Sequence, residues 1–216
     1  MKELDFINSN LGGHKITLDG LRGVMKKINN RLAGNNECIS ILEIGCGGGD
    51  NLRVIKNYCK KKKINVSLSG VDINPHCIEF ARSRKENEEI DFIASDYKLV
   101  SPVKKRDIIF CSLFCHHFTD EGVIEILTWM KENARVGIFI NDLHRHPIAY
   151  YSIKWLTRFF SKSYLVKNDG PLSVLRGFKK SELDAFVKQS FPHSYRGNAQ
   201  VQWKWAFRWL VTIINE

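Results

Sequence analysis

The chain has 216 residues, 44% hydrophobic and 26% charged, with 33 Lys and Arg against 23 Asp and Glu for a formal net charge of +10. That balance excludes wholesale disorder, and the length suffices for one α/β domain with a sizeable core while leaving little for a second. Six cysteines without small-scaffold spacing, a start lacking a secretory h-region and no apolar run near the ~20 residues of a spanning helix lead to the expectation of a reduced, cytoplasmic protein.

Residues 1–37 read as a helical preface: Leu18, Leu21, Val24, Met25 and Ile28 recur at helical spacing after the Gly12-Gly13 break, with Thr17 or Asp19 as the cap. Cys38 to Ile44 follows as a buried strand, β-branched at Ile39, Ile41 and Ile44. It stops in Gly45-Cys46-Gly47-Gly48-Gly49-Asp50, a tight turn whose backbone can approach a ligand. Asn51 to Tyr58 is apolar at helical spacing, and Lys60, Lys61, Lys62 and Lys63 fall where that helix ends and its dipole favours cations. Strand, glycine turn and helix N-terminus in succession form a nucleotide-binding geometry. Counted from Gly45, the sixth position is Asp50, where a dinucleotide fingerprint wants Gly or Ala. Glu43, two residues before the first glycine, would repel a pyrophosphate but suits a ligand carrying an ammonium or sulfonium.

A second strand, Val66 to Ile73, ends in Asp72, 72 − 49 = 23 residues beyond Gly49, close to the roughly 20-residue interval that puts an acid on a ribose. The alternative is that Asp72 caps the helix from Pro75 to Lys85. Asp91 to Tyr97 is a third strand ending in Asp96, which is also a plain turn former.

Ile41-Leu42-Glu43-Ile44-Gly45-Cys46-Gly47-Gly48-Gly49, Gly70-Val71-Asp72-Ile73-Asn74 and Asp91-Phe92-Ile93-Ala94-Ser95-Asp96-Tyr97 together resemble the class I S-adenosylmethionine-dependent methyltransferases, over roughly Arg31 to Asp142. The resemblance implies a Rossmann-like doubly wound α/β sheet, mostly parallel with an antiparallel last strand, and S-adenosylmethionine as cofactor. It implies a cofactor-binding set of Glu43 near the amino group, Gly45, Cys46, Gly47 and Gly49 under the backbone, Asp72 on the ribose, Asp96 near the adenine amino group, Ile73 or Tyr97 on the ring, and Ser112. In this fold the preface closes over the cofactor or shapes the acceptor pocket, unless it only covers one edge of the sheet.

Asp107 to Ser112 is a fourth strand, running into Leu113-Phe114-Cys115-His116-His117. After a helix through Ile124, Leu127 and Trp129, a fifth strand, Ala134 to Leu143, exits into His144-Arg145-His146-Pro147. Parallel strands deliver these exits to one edge, so at least one of His116, His117, His144 and His146 is expected to face the transferred methyl. His117 comes first and His144 second as general base, because imidazole takes a proton near neutrality. Adjacent histidines diverge on a strand exit and lack a second ligand pair at finger-like spacing, so no metal site is expected. Asp142, His144 and His146 either belong to the acceptor side or cap the helix from Pro147 to Ser161.

That helix carries Ile148, Tyr151, Trp155 and Phe159 on one face and Lys154, Arg158 and Lys162 on another. It reads as a lid walling an apolar acceptor pocket, or as a surface for peripheral membrane contact. Asn168-Asp169-Gly170-Pro171 reads as a polar turn before a short apolar stretch, Ser181 as the cap of the next helix, and Gln200 to Ile214 as two closing antiparallel strands. Residues 1–216 are thus expected to form one domain, with the preface at 1–37 and a substrate-side insertion at 143–178. The expected activity is methyl transfer to a small, lipophilic, phenolic or quinol-like acceptor. The rivals are an RNA methyltransferase, raised by the net charge but disfavoured because the basic runs read as solvated connections, and a catalytically silent cofactor-binding subunit of a partner.

Overall fold

The computed structural model describes residues 12–31, 38–100, 105–160, 164–191 and 198–215. β-Branched and aromatic runs in the middle of the chain form a sheet of strands β1 (Ile39–Ile44), β2 (Val66–Asp72), β3 (Ile90–Ala94), β4 (Arg106–Ser112), β5 (Ala134–Leu143), β6 (Ala199–Lys204) and β7 (Arg208–Ile214). They lie in the order β3-β2-β1-β4-β5-β7-β6. β1 to β5 pair in parallel, β7 is antiparallel to β5, and β6 is antiparallel to β7. The expected doubly wound sheet with an antiparallel last strand is therefore present. Its order reverses between β1 and β4, the switch point outside which ligands bind in such sheets.

Helices cover both faces: α1 (Gly13–Arg31), α2 (Asp50–Lys62), α3 (Pro75–Ser83), α4 (Asp120–Asn133), α5 (Pro147–Phe160), α6 (Tyr164–Leu175) and α7 (Lys180–Ser190). One core layer joins Leu21, Val24, Leu52, Ile55 and Leu210 to Phe110 and Phe139, whose rings stack at 4.6 Å. The other joins Ile44, Ile109 and Ile138 to Ile126, Met130, Phe186 and Trp209. Burying each such side chain fully is worth about 1.5–3 kcal/mol, so the two layers fix which strand ends meet at the edge.

Four local expectations are corrected. α1 begins at Gly13, after Gly12 at φ 76°, and Thr17 and Asp19 lie inside it. Thr17 is fully buried and bonds Asn51, which explains a hydroxyl on the helix's inner face. The stretch Asn168 to Pro171 belongs to α6 rather than to a turn, with Pro171 inside the helix. A Cβ on Gly170 would sit 3.4 Å from Ile153 Cγ1 and Thr157 Cγ2 of α5, so packing of two helices overrides the turn chemistry. At α7 the amide of Lys179 donates to Glu182 Oε2 at 2.8 Å, and Ser181 lies inside the first turn. Finally, Ile148, Tyr151 and Trp155 are 56–59% exposed, so the aromatic stripe of α5 faces outward; its inner face is Ala149, Ile153 and Thr157. The side chains of Phe159 and Phe160, and residues 161–163, lie outside the described set. The two closing strands are as expected.

Candidate active site

Parallel pairing places Glu43 beside Gly70 and Phe110, and Ser112 beside Asn141, so the exits of β1, β2, β4 and β5 share one edge. The β1 exit turns through Gly45, Gly47 and Gly49 at φ 66°, 51° and 74°, a region that L side chains avoid. At Gly45 there is a second reason for glycine: an added Cβ would lie 2.2 Å from Cδ2 of Phe114. The close approach at this glycine is therefore made by a side chain of the β4 exit. Asp72 Oδ2 accepts from the Gly47 amide and Oδ1 from the Asn74 amide, both at 2.9 Å, which ties the β2 exit to the turn. The cap of α3 is Asn74, accepting from the His76 amide, so Asp72 is free of that duty. Asn87, buried behind the turn, donates to the carbonyls of Gly48 and Ala81.

Glu43 is 1% exposed. Its Oε1 accepts from Asn51 Nδ2 at 2.8 Å, while Oε2 is buried without a partner. Burial drives its carboxyl well above the usual range, the charges of Asp50 and Asp72 push the same way, and the Asn51 bond opposes them. A polar chain continues away from it. Thr17 Oγ1 donates to Asn51 Oδ1, and Asn141 Nδ2 donates to Thr17 Oγ1, Ser112 Oγ and the Gly13 carbonyl. Asn141 Oδ1 is a second buried acceptor without a partner. Asp50 is held by His14 Nε2 at 2.9 Å. The orphaned Glu43 Oε2 and the carboxylates of Asp50 and Asp72 around one turn favour a cation with N–H donors.

The other expected cofactor residues divide. Ile73 is 74% exposed beside Asp72, an apolar surface open to a planar ring. The Ser95 amide bonds the Asp72 carbonyl, so Asp96 emerges level with Asp72; its Oδ1 accepts from the Lys98 amide. Tyr97 turns into the core, edge-on to Trp129 at 5.1 Å and to Phe114 at 6.2 Å, and has little surface left for a ligand. Cys46, expected under the cofactor's backbone, is buried, and desolvation pushes its thiol up.

The four histidines separate by partner. His116 is 4% exposed, its Nδ1 lies 2.7 Å from Asp142 Oδ1, and its amide donates to Asp142 Oδ2. Asp142 is also buried. Burial alone would raise its carboxyl, but the His116 charge and its hydrogen bonds outweigh that and hold it below the usual range. His117, its ring 4.2 Å from that of His116, is pushed down by desolvation and then by the His116 charge. His144 Nδ1 lies 3.2 Å from Trp203 Nε1, and its pKa is lowered by burial and by His146. His146 Nδ1 accepts from the Ile148 amide and its ring stacks on Phe207 at 5.1 Å, so His146 and not Asp142 caps α5. Cys111 and Cys115 lie 3.5 Å apart, buried. Among the described residues no three of His, Cys, Asp and Glu are grouped to hold a metal ion.

Sequence reasoning missed Asn51, Thr17, Asn141 and Asn87, and the pairing of His116 with Asp142. An amide or hydroxyl carries no signal of its own in the sequence, and the bonds of Thr17 to Asn51, Asn141 to Thr17 and Asn87 to Gly48 span 34, 124 and 39 residues.

Residues 41–137 match the family described as a methyltransferase domain. Among curated proteins, the chain is similar to a mitochondrial ubiquinone biosynthesis O-methyltransferase of Saccharomyces cerevisiae, 23% identical over 164 residues that make up 73% of this chain. The chain spans about half the length of that relative, the match covering 50% of it. Among solved structures it is similar to the plantazolicin methyltransferase BpumL in complex with SAH, with TM-score 0.65 and 19% identity over 97% of this chain and 89% of the other. It is also similar to the magnesium protoporphyrin IX methyltransferase of Synechocystis PCC 6803, with TM-score 0.60 and 11% identity over 98% of this chain and 88% of the other. At these identities the likenesses show the fold. No helix among the described residues is long and apolar enough to cross a membrane.

Proposed function

We propose that the chain is a class I S-adenosylmethionine-dependent methyltransferase, the reading that the methyltransferase-domain match over residues 41–137 supports, and that it methylates a small, lipophilic acceptor of phenolic or quinol type at a hydroxyl or activated carbon. The observation that carries the cofactor assignment is the buried, half-satisfied Glu43 at the glycine turn, whose Oε2 is an acceptor that the N–H groups of an ammonium would satisfy. Neighbouring proteins whose solved structures hold SAH share the fold.

The residues fit that cofactor. Glu43 would hold its amino group, the turn of Gly45, Gly47 and Gly49 its backbone, Asp72 the ribose hydroxyls, Ile73 the adenine ring and Asp96 the adenine amino group. When bound, S-adenosylmethionine supplies an intrinsically electrophilic methyl. The chain supplies orientation, exclusion of water and, for a hydroxyl acceptor, a base. His116 is the base this reading prefers. Asp142 occupies Nδ1 and fixes the tautomer, leaving Nε2 as the atom that takes the acceptor's proton. His117, whose pKa is lowered, stays neutral beside it at pH 7, and His144 and His146 serve the aromatic cluster. The relative named for ubiquinone biosynthesis and the O-methyl chemistry in its name support a phenolic or quinol-like acceptor.

The test is methyl transfer from labelled S-adenosylmethionine by the isolated chain to a panel of phenols, quinols and RNA. Turnover on a phenol or quinol supports the reading. Turnover on RNA alone favours the nucleic-acid rival, and cofactor binding with no turnover on any of them favours the silent subunit.

A further inference from the structure

Arg208 opens β7 at the shared edge, beside Leu143 of β5 and Lys204 of β6. Its side chain is 3% exposed, yet Nη1 is buried with no hydrogen-bond partner. Burial pulls its pKa down to about 10, and the charge that opposes this is that of Asp142. Asp142 is already engaged, accepting from the Leu143 amide and the His116 amide and lying against His116 Nδ1. A buried guanidinium is expensive unless an anion pairs with it, and this one has none among the described residues.

We propose that Arg208 is a binding subsite for a carboxylate on the methyl acceptor. The inference rests on the reading of the glycine turn as the cofactor's place. The planar fork of a guanidinium matches a carboxylate through two parallel hydrogen bonds. The sheet order separates this subsite from the cofactor: β1 to β7 is three strand spacings, about 14 Å. The flanking residues are aromatic. Phe207 stacks on His146, and Trp209 meets His144 at 4.9 Å, so the chain on either side of Arg208 packs against the β5 exit.

The probe is benzoate, with benzamide as its neutral isostere, titrated calorimetrically into the SAH-loaded wild type and into Arg208→Met and Arg208→Lys. SAH affinity is measured in each protein separately. The wild type should favour benzoate over benzamide by about tenfold or more, the effect of one charge-assisted hydrogen bond. Arg208→Met should lose that preference while SAH affinity stays within about twofold and the melting temperature is equal or higher, because an apolar group replaces an unpaired buried charge. Arg208→Lys, with a point charge and no fork, should keep part of the preference and carries the test if the Met variant does not fold. Equal binding of benzoate and benzamide to the wild type, or an undiminished preference in Arg208→Met, overturns the proposal. Competition of benzoate with SAH, or loss of SAH affinity in a folded Arg208→Met, also overturns it, by assigning the carboxylate to the cofactor. Failure of SAH to bind the wild type sinks the glycine-turn reading instead, and benzoate then still reports on Arg208 alone.

Discussion

Replacing Glu43 by Gln tests the site at its most constrained atom, because it removes the charge and keeps the shape. In the free protein Glu43 Oε1 holds Asn51 and Oε2 is orphaned, so Gln retains one bond and turns an unpartnered acceptor into an unpartnered donor. A charge-assisted hydrogen bond to a ligand ammonium is worth about 1.5–3 kcal/mol, so losing it weakens SAH binding by about tenfold to somewhat over a hundredfold. Stability should move the other way. The folded-state carboxyl is raised by burial and by Asp50 and Asp72, above the ~4.3 of an unfolded chain. A raised acid is most favourable to folding below its unfolded pKa, and that contribution is lost as pH rises towards the folded value. Glu43→Gln and wild type should therefore melt alike near pH 4, and the variant should gain relative stability between pH 5 and 8. Calorimetric SAH titration and denaturant melts across that range give both readings. A folded variant with unchanged SAH affinity, or one whose relative stability falls with pH, refutes the assignment of Glu43 to the cofactor's amino group.

Asp72→Ala removes the acceptor of the Gly47 amide and of the proposed ribose bonds; SAH affinity should fall by about tenfold or more, and calorimetry on the folded variant checks it. Gly45→Ala forces a left-handed backbone at about 1–2 kcal/mol and drives a Cβ into the Phe114 ring, so the denaturation midpoint should drop; an unchanged midpoint contradicts the packing. If the net charge of +10 is surface solubility, RNA affinity should collapse with added salt. Tight, sequence-selective binding at physiological salt would favour the RNA rival.

What was legible in the sequence was what is encoded locally. The apolar run into four glycines predicts β1 and its turn, because β-branching and positive φ are properties of the residues themselves. Asp72 was found by its interval from that turn. Asn168 to Pro171 misled because its turn chemistry is real but is outweighed where Gly170 lets α6 pack on Ile153 and Thr157 of α5. The stripe of α5 was visible as a stripe, but periodicity does not say which face turns inward. Pairings across the sheet left no trace: His116 and Asp142 are 26 residues apart, and Arg208 follows Leu143 by 208 − 143 = 65, meeting it only because β7 returns antiparallel beside β5.

The pairing of His116 with Asp142 admits two roles, and their consequences differ. As a structural tie it fastens the β4 exit to β5; as a base and its positioning residue it sets the reacting atom of His116. If His116 is the base, His116→Ala should lower kcat for a hydroxyl acceptor by about 10² to 10⁴ while KM and SAH affinity hold, since proton removal is felt in the transition state and not in binding. Asp142→Asn keeps an acceptor beside Nδ1 but loses the charge-assisted hydrogen bond that orients the ring. It should therefore lower kcat less than His116→Ala does. A tie alone would lower the melting temperature in both variants and leave kcat of the surviving folded enzyme where it was. Stability carries its own sign: the Asp142 carboxyl is depressed, so its contribution is present at neutral pH and disappears as pH falls through its folded value, below the ~3.9 of an unfolded Asp. Acid melts of wild type and Asp142→Asn should accordingly converge below pH 4. Single-turnover rates with saturating acceptor for Ala variants of His116, His117, His144 and His146 complete the comparison. A loss at His117 or His144 with His116 unaffected moves the base to that residue, and four near-wild-type rates leave proximity and exclusion of water as the mechanism.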